Sequence, residues 1–253
     1  MKSKVRELIS SSFSLFRNKP KLGHRVLIYH SIGSKVLGES SGINSLSKEK
    51  FVQHVKFLNN YKTVSSELFD SNYSDLEISI TFDDGYLDNL TFAAPLLVEN
   101  KIPFTVFVSS DFIDDLNNNC MNKTDLIELS LMEGVTIGSH GKSHCHLTRC
   151  KPKEIVNELE YSKKYIEDVI SKTVNTISYP YGDVNLNVAN SAKNSGYKYG
   201  FSSRFDINTV NRNDLLLNRS FIHSRDNTKI LKEKIEGDWD WFKYRYSNPQ
   251  KKV

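Results

Sequence analysis

Short apolar runs rich in Val, Ile and Phe recur along this 253-residue chain, separated by segments of helical period, and that alternation limits the fold more than any other feature. The runs are "RVLIYH" (25–30), "EISITF" (77–82), "FTVFVS" (104–109), "VTIGS" (135–139), "TISY" (176–179), "YGFS" (199–202) and "RSFIH" (219–223). They lack clean apolar–polar alternation, which suits strands covered on both faces. Phe51, Val55 and Leu58 form a helical stripe behind an N-cap at Ser47. A second helix is expected from Leu87 to Glu99, and Pro95 inside it predicts a kink or two pieces. A third opens at Pro152 and carries Ile155, Leu159, Ile166, Val169 and Ile170 on one side. Repeated β-then-α order predicts an α/β fold with a parallel sheet, and about seven such units predict a barrel or near-barrel.

Composition narrows the function classes. Hydrophobic residues at 38% and charged residues at 25% describe an ordinary globular chain rather than a disordered one. A net charge of +4, with no basic tract interleaved with aromatics, gives no reason to expect nucleic acid. Cys120, Cys145 and Cys150 have no CxxC spacing and read as thiols of a reducing compartment. The first residues lack the apolar core and cleavage site of a signal peptide, so a cytoplasmic location is expected. Residues 1–22 form a separate amphipathic segment, with the main domain at 23–246. Val5, Leu8, Ile9, Phe13 and Phe16 recur there at helical spacing among Lys2, Lys4, Arg6, Arg17, Lys19 and Lys21. The preferred reading is an amphipathic helix packed on its own domain. The alternative is peripheral contact of residues 1–20 with the inner face of a membrane.

Chemistry in such folds sits at the carboxyl ends of the strands. His30, Asp83 with Asp84, His140, and Pro180 with Tyr181 all stand at such ends. The pair in "TFDDGY" (81–86) is the least expected, since adjacent carboxylates repel and their burial is costly. A solvated Asp-Asp-Gly turn would explain it blandly. "SHGKSHCHL" offers a different explanation. His140 and His144, spaced i and i+4, share one face if that stretch is a helical turn. Two imidazoles and one carboxylate make a catalytic metal set with a position open for water. His146 would point away from that face and reads as a supporting residue.

TFDDG, then HxxxH after "IGS", then "YPYG", in that order, resemble the polysaccharide deacetylase family, carbohydrate esterase family four, over roughly residues 25 to 225. The biofilm poly-N-acetylglucosamine deacetylases are similar in opening on a strand that ends in Tyr-His, here "LIYH". The resemblance implies a distorted (β/α) barrel of about seven parallel strands and metal-dependent removal of acetyl groups from glycans. It implies Asp83 as general base and Asp84, His140 and His144 as ligands of a divalent metal, zinc first, with nickel or cobalt as alternatives. It puts an oxyanion-binding backbone N–H at Tyr181. It leaves two candidates for the general acid, His30 ahead of His223. The chain departs from the family in one place: Ser178 stands where an arginine usually orients the base. Arg219, in "LNRS", resembles an arginine common near the end of such domains, with its role open.

The expected activity is N-deacetylation of an N-acetylhexosamine glycan. O-deacetylation of an acetylated polysaccharide would use the same residues, and a carbohydrate-binding relative without turnover is the non-enzymatic reading. A phosphoesterase lacks support, because there is no Gly-rich phosphate cradle and no second carboxylate-rich cluster.

Overall fold

All seven apolar runs form strands, and they lie side by side in one parallel sheet. The computed structural model describes residues 2–16, 21–36, 39, 41–69, 72–113, 115 and 119–245. Its strands are β1 (Gly23–Tyr29), β2 (Ser31–Ile32), β3 (Ser45–Leu46), β4 (Lys62–Thr63), β5 (Leu76–Phe82), β6 (Phe104–Val108), β7 (Val135–Ser139), β8 (Thr176–Ser178), β9 (Tyr199–Phe201) and β10 (Ser220–Phe221). The α-helices are α1 (Lys2–Phe16), α2 (Lys48–Leu58), α3 (Ala94–Glu99), α4 (Lys123–Leu131), α5 (Pro152–Ile170), α6 (Leu186–Asn194) and α7 (Thr228–Glu236).

The main sheet runs β10-β1-β5-β6-β7-β8-β9, and β4 pairs with the first half of β5 while β6 takes the second half. The two edges of this path are bridged rather than open. Leu217 N–H donates to Gly200 O at 2.8 Å, Ser202 N–H donates to Leu217 O at 2.8 Å, and the same chain then runs into β10 beside β1. The result is the expected distorted (β/α) barrel.

A period-2 alternation, masked in the sequence, sorts the side chains. Leu27, Ile78, Ile80, Phe82, Phe104, Val106, Ile137 and Ile177 point outward into the main core beneath the helices. The inward row holds a small apolar cluster, Val26, Phe107, Phe201 and Leu217, along with polar residues such as Ser79, Thr81 and Thr105. Both rows are buried, so the strands read as continuous apolar or neutral runs.

The helical expectations hold with refinements. Ser47 caps α2 by accepting from Lys50 N–H, and Phe51, Val55 and Leu58 are buried. The segment through Pro95 does come in two pieces, a π-helical turn at Asn89–Ala93 and then α3, with the proline in its first turn. α5 spans Pro152–Ile170 and ends on a left-handed Ser171.

The N-terminal helix forms and packs on its own domain, as the preferred reading has it, but not by its apolar side. Ser10 is fully buried, Trp241 donates to its hydroxyl at 2.9 Å, and Ser11 donates to Glu233 Oε1 on α7 at 2.9 Å. Leu8, Ile9 and Phe13 are exposed, at 72%, 39% and 49%. α1 therefore packs by its serine face and leaves its apolar side outward. The side chains of Val5 and Phe16 lie outside the described residues. No described helix is long and apolar enough to cross a membrane.

Candidate metal centre and cleft

Asp83 continues the inward row of β5, and its N–H still pairs with Tyr29 O at 3.0 Å. Asp84 and Gly85 then turn left-handed, with φ of 73° and 75°. A Cβ on Gly85 would meet Val108 Cγ1 at 2.6 Å, so the glycine is required there. The turn brings the Asp84 carboxylate to the cleft beside Asp83, and this non-glycine left-handed residue is strain of the kind that collects at functional sites. Asp-Asp-Gly thus supplies turn geometry, but it is a buried turn, with Asp83 4% and Asp84 8% exposed.

The two carboxylates are compensated differently. Arg219 donates to both oxygens of Asp83 at 2.8 Å, and the Ser178 hydroxyl donates to Oδ2 at 3.1 Å. Burial alone would raise the Asp83 pKa, but Arg219 outweighs it and holds the carboxyl well below the usual range. Arg219 also donates to the Ser178 hydroxyl at 2.6 Å. The missing arginine of the YPYG motif is thereby supplied from another part of the chain. Asp84 has no such cation: its Oδ1 is buried and without a hydrogen-bond donor. It faces His140 Nε2 at 3.5 Å and His144 Nε2 at 3.3 Å.

His140 continues the inward row of β7, and its Nδ1 lies 2.7 Å from Ser178 O. That carbonyl requires the Nδ1–H tautomer and leaves the Nε2 lone pair toward Asp84. Burial pushes the His140 pKa down to about 4, so the ring is neutral. His144 does not lie on a helix, contrary to the spacing argument. Residues 140–146 form a loop, and His144 takes φ +56°. Glu158 of α5 shapes that loop by accepting from Lys142 N–H and Ser143 N–H, each at 2.9 Å, and from the Ser143 hydroxyl at 2.7 Å. The rings of His140 and His144 end 4.8 Å apart.

Asp84, His140 and His144 form the one described group of three that could hold a metal ion. The donor set fits: a tetrahedral site with bonds of about 2.0–2.1 Å has ligand edges of about 3.3–3.4 Å, close to the observed Asp84–imidazole separations. The orphaned Asp84 oxygen is what a cation would satisfy.

Tyr181 sits in a short 3-10 turn after β8 with φ +60°, where first-turn N–H groups have no intrahelical acceptor. Its ring is 59% exposed and stacks on His146 at 4.0 Å. His146 Nδ1 lies 3.3 Å from Asp183 Oδ2, which keeps it out of the metal set, as expected. Across the cleft stand His30 and His223, with the Phe221 ring between them at 5.1 and 4.5 Å. His30 Nδ1 is buried without a partner. Burial, reinforced by Lys234, pushes the His223 pKa down to about 4. His30, Asp83, Asp84, His140, His144, Tyr181 and His223 line one cleft of about 830 Å³. Cys120 lines it as well, while Cys145 and Cys150 face each other at 3.4 Å, and no disulfide joins the three.

Sequence reasoning left Arg219 without a role and missed Glu158. The second had a signal: Glu158 is a carboxylate one residue from Leu159 on the buried side of a helix, where only a paired charge is expected.

Fold and site together define an α/β-barrel protein with a carboxylate–imidazole group at the strand ends that could hold a metal ion. Residues 70–200 match the family profile described as Polysaccharide deacetylase. A polysaccharide deacetylase named YxkH from Bacillus subtilis is 31% identical over 188 residues, 70% of this chain and 63% of that protein. The poly-beta-1,6-N-acetyl-D-glucosamine N-deacetylase of Staphylococcus aureus is 26% identical over 219 residues, 78% of this chain and 73% of that protein. The chain belongs to the polysaccharide deacetylase family. The match to YxkH thus covers less than two thirds of that relative. In fold the chain is similar to the Streptococcus pyogenes deacetylase PplD, with a TM-score of 0.74 at 21% identity over 86% of this chain and 100% of that one. It is similar also to IcaB from Ammonifex degensii, with a TM-score of 0.71 at 17% identity over 87% of this chain and 100% of that one.

Proposed function

We propose that this protein is a metal-dependent hydrolase that removes N-acetyl groups from an N-acetylhexosamine-containing glycan. The observation that carries the reading is the contrast within Asp83-Asp84: one carboxylate neutralised by arginine, its neighbour buried, unsatisfied and facing two imidazoles. A divalent cation, zinc or else nickel or cobalt, held by Asp84, His140 and His144 would polarise the acetamide carbonyl and lower the pKa of water. Asp83, kept ionised by Arg219, accepts a proton from the attacking water. The Tyr181 N–H donates to the oxyanion that forms on the acetamide carbon. His30 gives a proton to the departing amine, which cannot leave otherwise. His223 is the alternative acid, but its lowered pKa keeps it neutral at ordinary pH. The enzyme works on the cytoplasmic side with peripheral membrane contact through residues 1–20.

The test joins metal titration to acetate release from N-acetylglucosamine oligomers. The wild type takes up one metal per chain and releases acetate, and His144→Ala loses the metal. His30→Ala keeps its metal and loses about 10²–10⁴-fold in rate, while His223→Ala stays near wild type. Full metal occupancy in His144→Ala would sink the ligand set, and the reverse pattern in the two other histidine variants would move the acid to His223. Acetate released only from O-acetylated sugars would turn the reading into an esterase.

A further inference from the structure

The first 21 residues hold six basic side chains, at 2, 4, 6, 17, 19 and 21, and one acid, Glu7. They carry +5 of a chain whose total is +4, so everything after them sums to −1. The positive charge of the protein is thus concentrated in and just after α1. The same helix is inverted, with serines inward on α7 and Trp241 and with Leu8, Ile9 and Phe13 outward. A helix that only had to cover its own domain would bury those three side chains, since apolar surface gains by leaving water. An exposed apolar side on a segment this basic in sequence is the pattern of a helix lying in a lipid headgroup layer. A second copy of the chain fits less well, because two such segments would bring +5 against +5.

α1 also borders the cleft. Arg6 lines it together with the metal-ligating side chains, and its guanidinium sits 5.3 Å from the Phe242 ring, another cleft residue. α1 and the cleft therefore share a wall. We propose that α1 docks the protein on an anionic lipid bilayer with the cleft beside that surface, and that its substrate is a glycan anchored in the same membrane rather than a free polymer. The docking stands on α1 alone, and the substrate half rests on the deacetylase reading.

The experiment uses the full metal-loaded chain and Leu8→Ser/Ile9→Ser/Phe13→Ser, three exposed positions whose change leaves the packed face of α1 intact. Each is sedimented with vesicles of phosphatidylglycerol and phosphatidylcholine, or of phosphatidylcholine alone. Acetate release is measured from a lipid-anchored N-acetylglucosamine oligomer in the anionic vesicles and from the soluble oligomer. The wild type should pellet with anionic vesicles at least about tenfold better than with neutral ones, as the surface charge requires, and the triple variant should lose that binding. The variant should release acetate from the anchored oligomer about tenfold more slowly and from the soluble oligomer at the wild-type rate. Equal pelleting of variant and wild type, or no pelleting of the wild type, would overturn the docking. Self-association of the wild type without vesicles, abolished in the variant, would overturn it in favour of a second copy. Vesicle binding with equal rates on the anchored oligomer would overturn the substrate half and leave the deacetylase reading standing. Vesicle binding with no acetate from either oligomer would overturn that reading and leave the docking standing.

Discussion

Two buried Arg–Asp pairs stand on opposite sides of the barrel wall, and they do different things. Arg25, pointing outward from β1, donates to both oxygens of Asp240, at 2.7 and 3.2 Å, and Lys21 adds a third contact at 2.9 Å. Arg219, inside the barrel near the Phe107 and Phe201 rings, donates to both oxygens of Asp83 at 2.8 Å. Its remaining contacts go to Ser202 O, Thr81 Oγ1 and Ser178 Oγ, so its five donors have five acceptor contacts. Both carboxyls are held below the usual range by arginine, against burial that would raise them. What differs is the other side of each carboxylate. Asp240 faces only protein and ties the C-terminal turn to β1. Asp83 lines the cleft beside Asp84. The same ion pair is a fastening in one place and, in the proposed reaction, the support of an ionised base in the other, and the open side decides which.

Neutralising each acid separates the two most sharply. Asp83→Asn should lower the acetate-release rate by about 10²–10⁴-fold with metal still bound, whereas Asp240→Asn should leave the rate per folded molecule unchanged. Equal losses of rate in the two variants would break the comparison.

Removing each arginine tests the fastening. Arg219→Met leaves Asp83 buried with only a hydroxyl, and unfolding in urea should show a loss of about 3–5 kcal/mol. Arg25→Met should lose less, because Lys21 still faces Asp240. A larger loss at Arg25 would mean that the outer pair is the main electrostatic support of the fold.

Glu158 separates positioning from charge balance. Glu158→Gln leaves both arginine pairs in place but removes one acceptor from the loop that carries His144. Metal affinity measured by competition with a chromophoric chelator should fall about 10–100-fold, the usual effect of losing a residue that orients a ligand. Unchanged affinity would show that the loop holds His144 without it.

Acid should reveal the smallest difference. Burial pushes His24 down to about 3 and His54, His140 and His223 to about 4, from an ordinary 6.5. The unfolded chain then binds more protons than the folded one below 6.5, so the stability of the metal-free protein should decline as pH falls from about 6.5 toward 4. The two carboxylates, lowered from 3.8, keep their contribution through that window and lose it only below 3.8. Thermal melts from pH 7 to 4 check the order, and His54→Gln should flatten the slope. A flat profile down to pH 4 would contradict the buried neutral histidines.

The strand runs, the Ser47 cap, the break at Pro95 and the start of α5 were all legible in the sequence, because each depends on neighbours a few residues away. So were the strand-end residues that meet in the cleft, since a parallel barrel brings its strand ends to one rim whatever the loops do. Three decisions needed the tertiary structure. Arg219 reaches Asp83 across 136 positions, and no local pattern encodes that contact. His144 meets His140 through a left-handed loop clamped by Glu158, where i and i+4 spacing suggested a helical turn. α1 has an apolar stripe readable at 3.6 residues per turn, but the sequence could not say which side faces the domain. Periodicity reports that two faces differ, while the partner that buries one of them is chosen by packing, here Trp241 and Glu233 against serines.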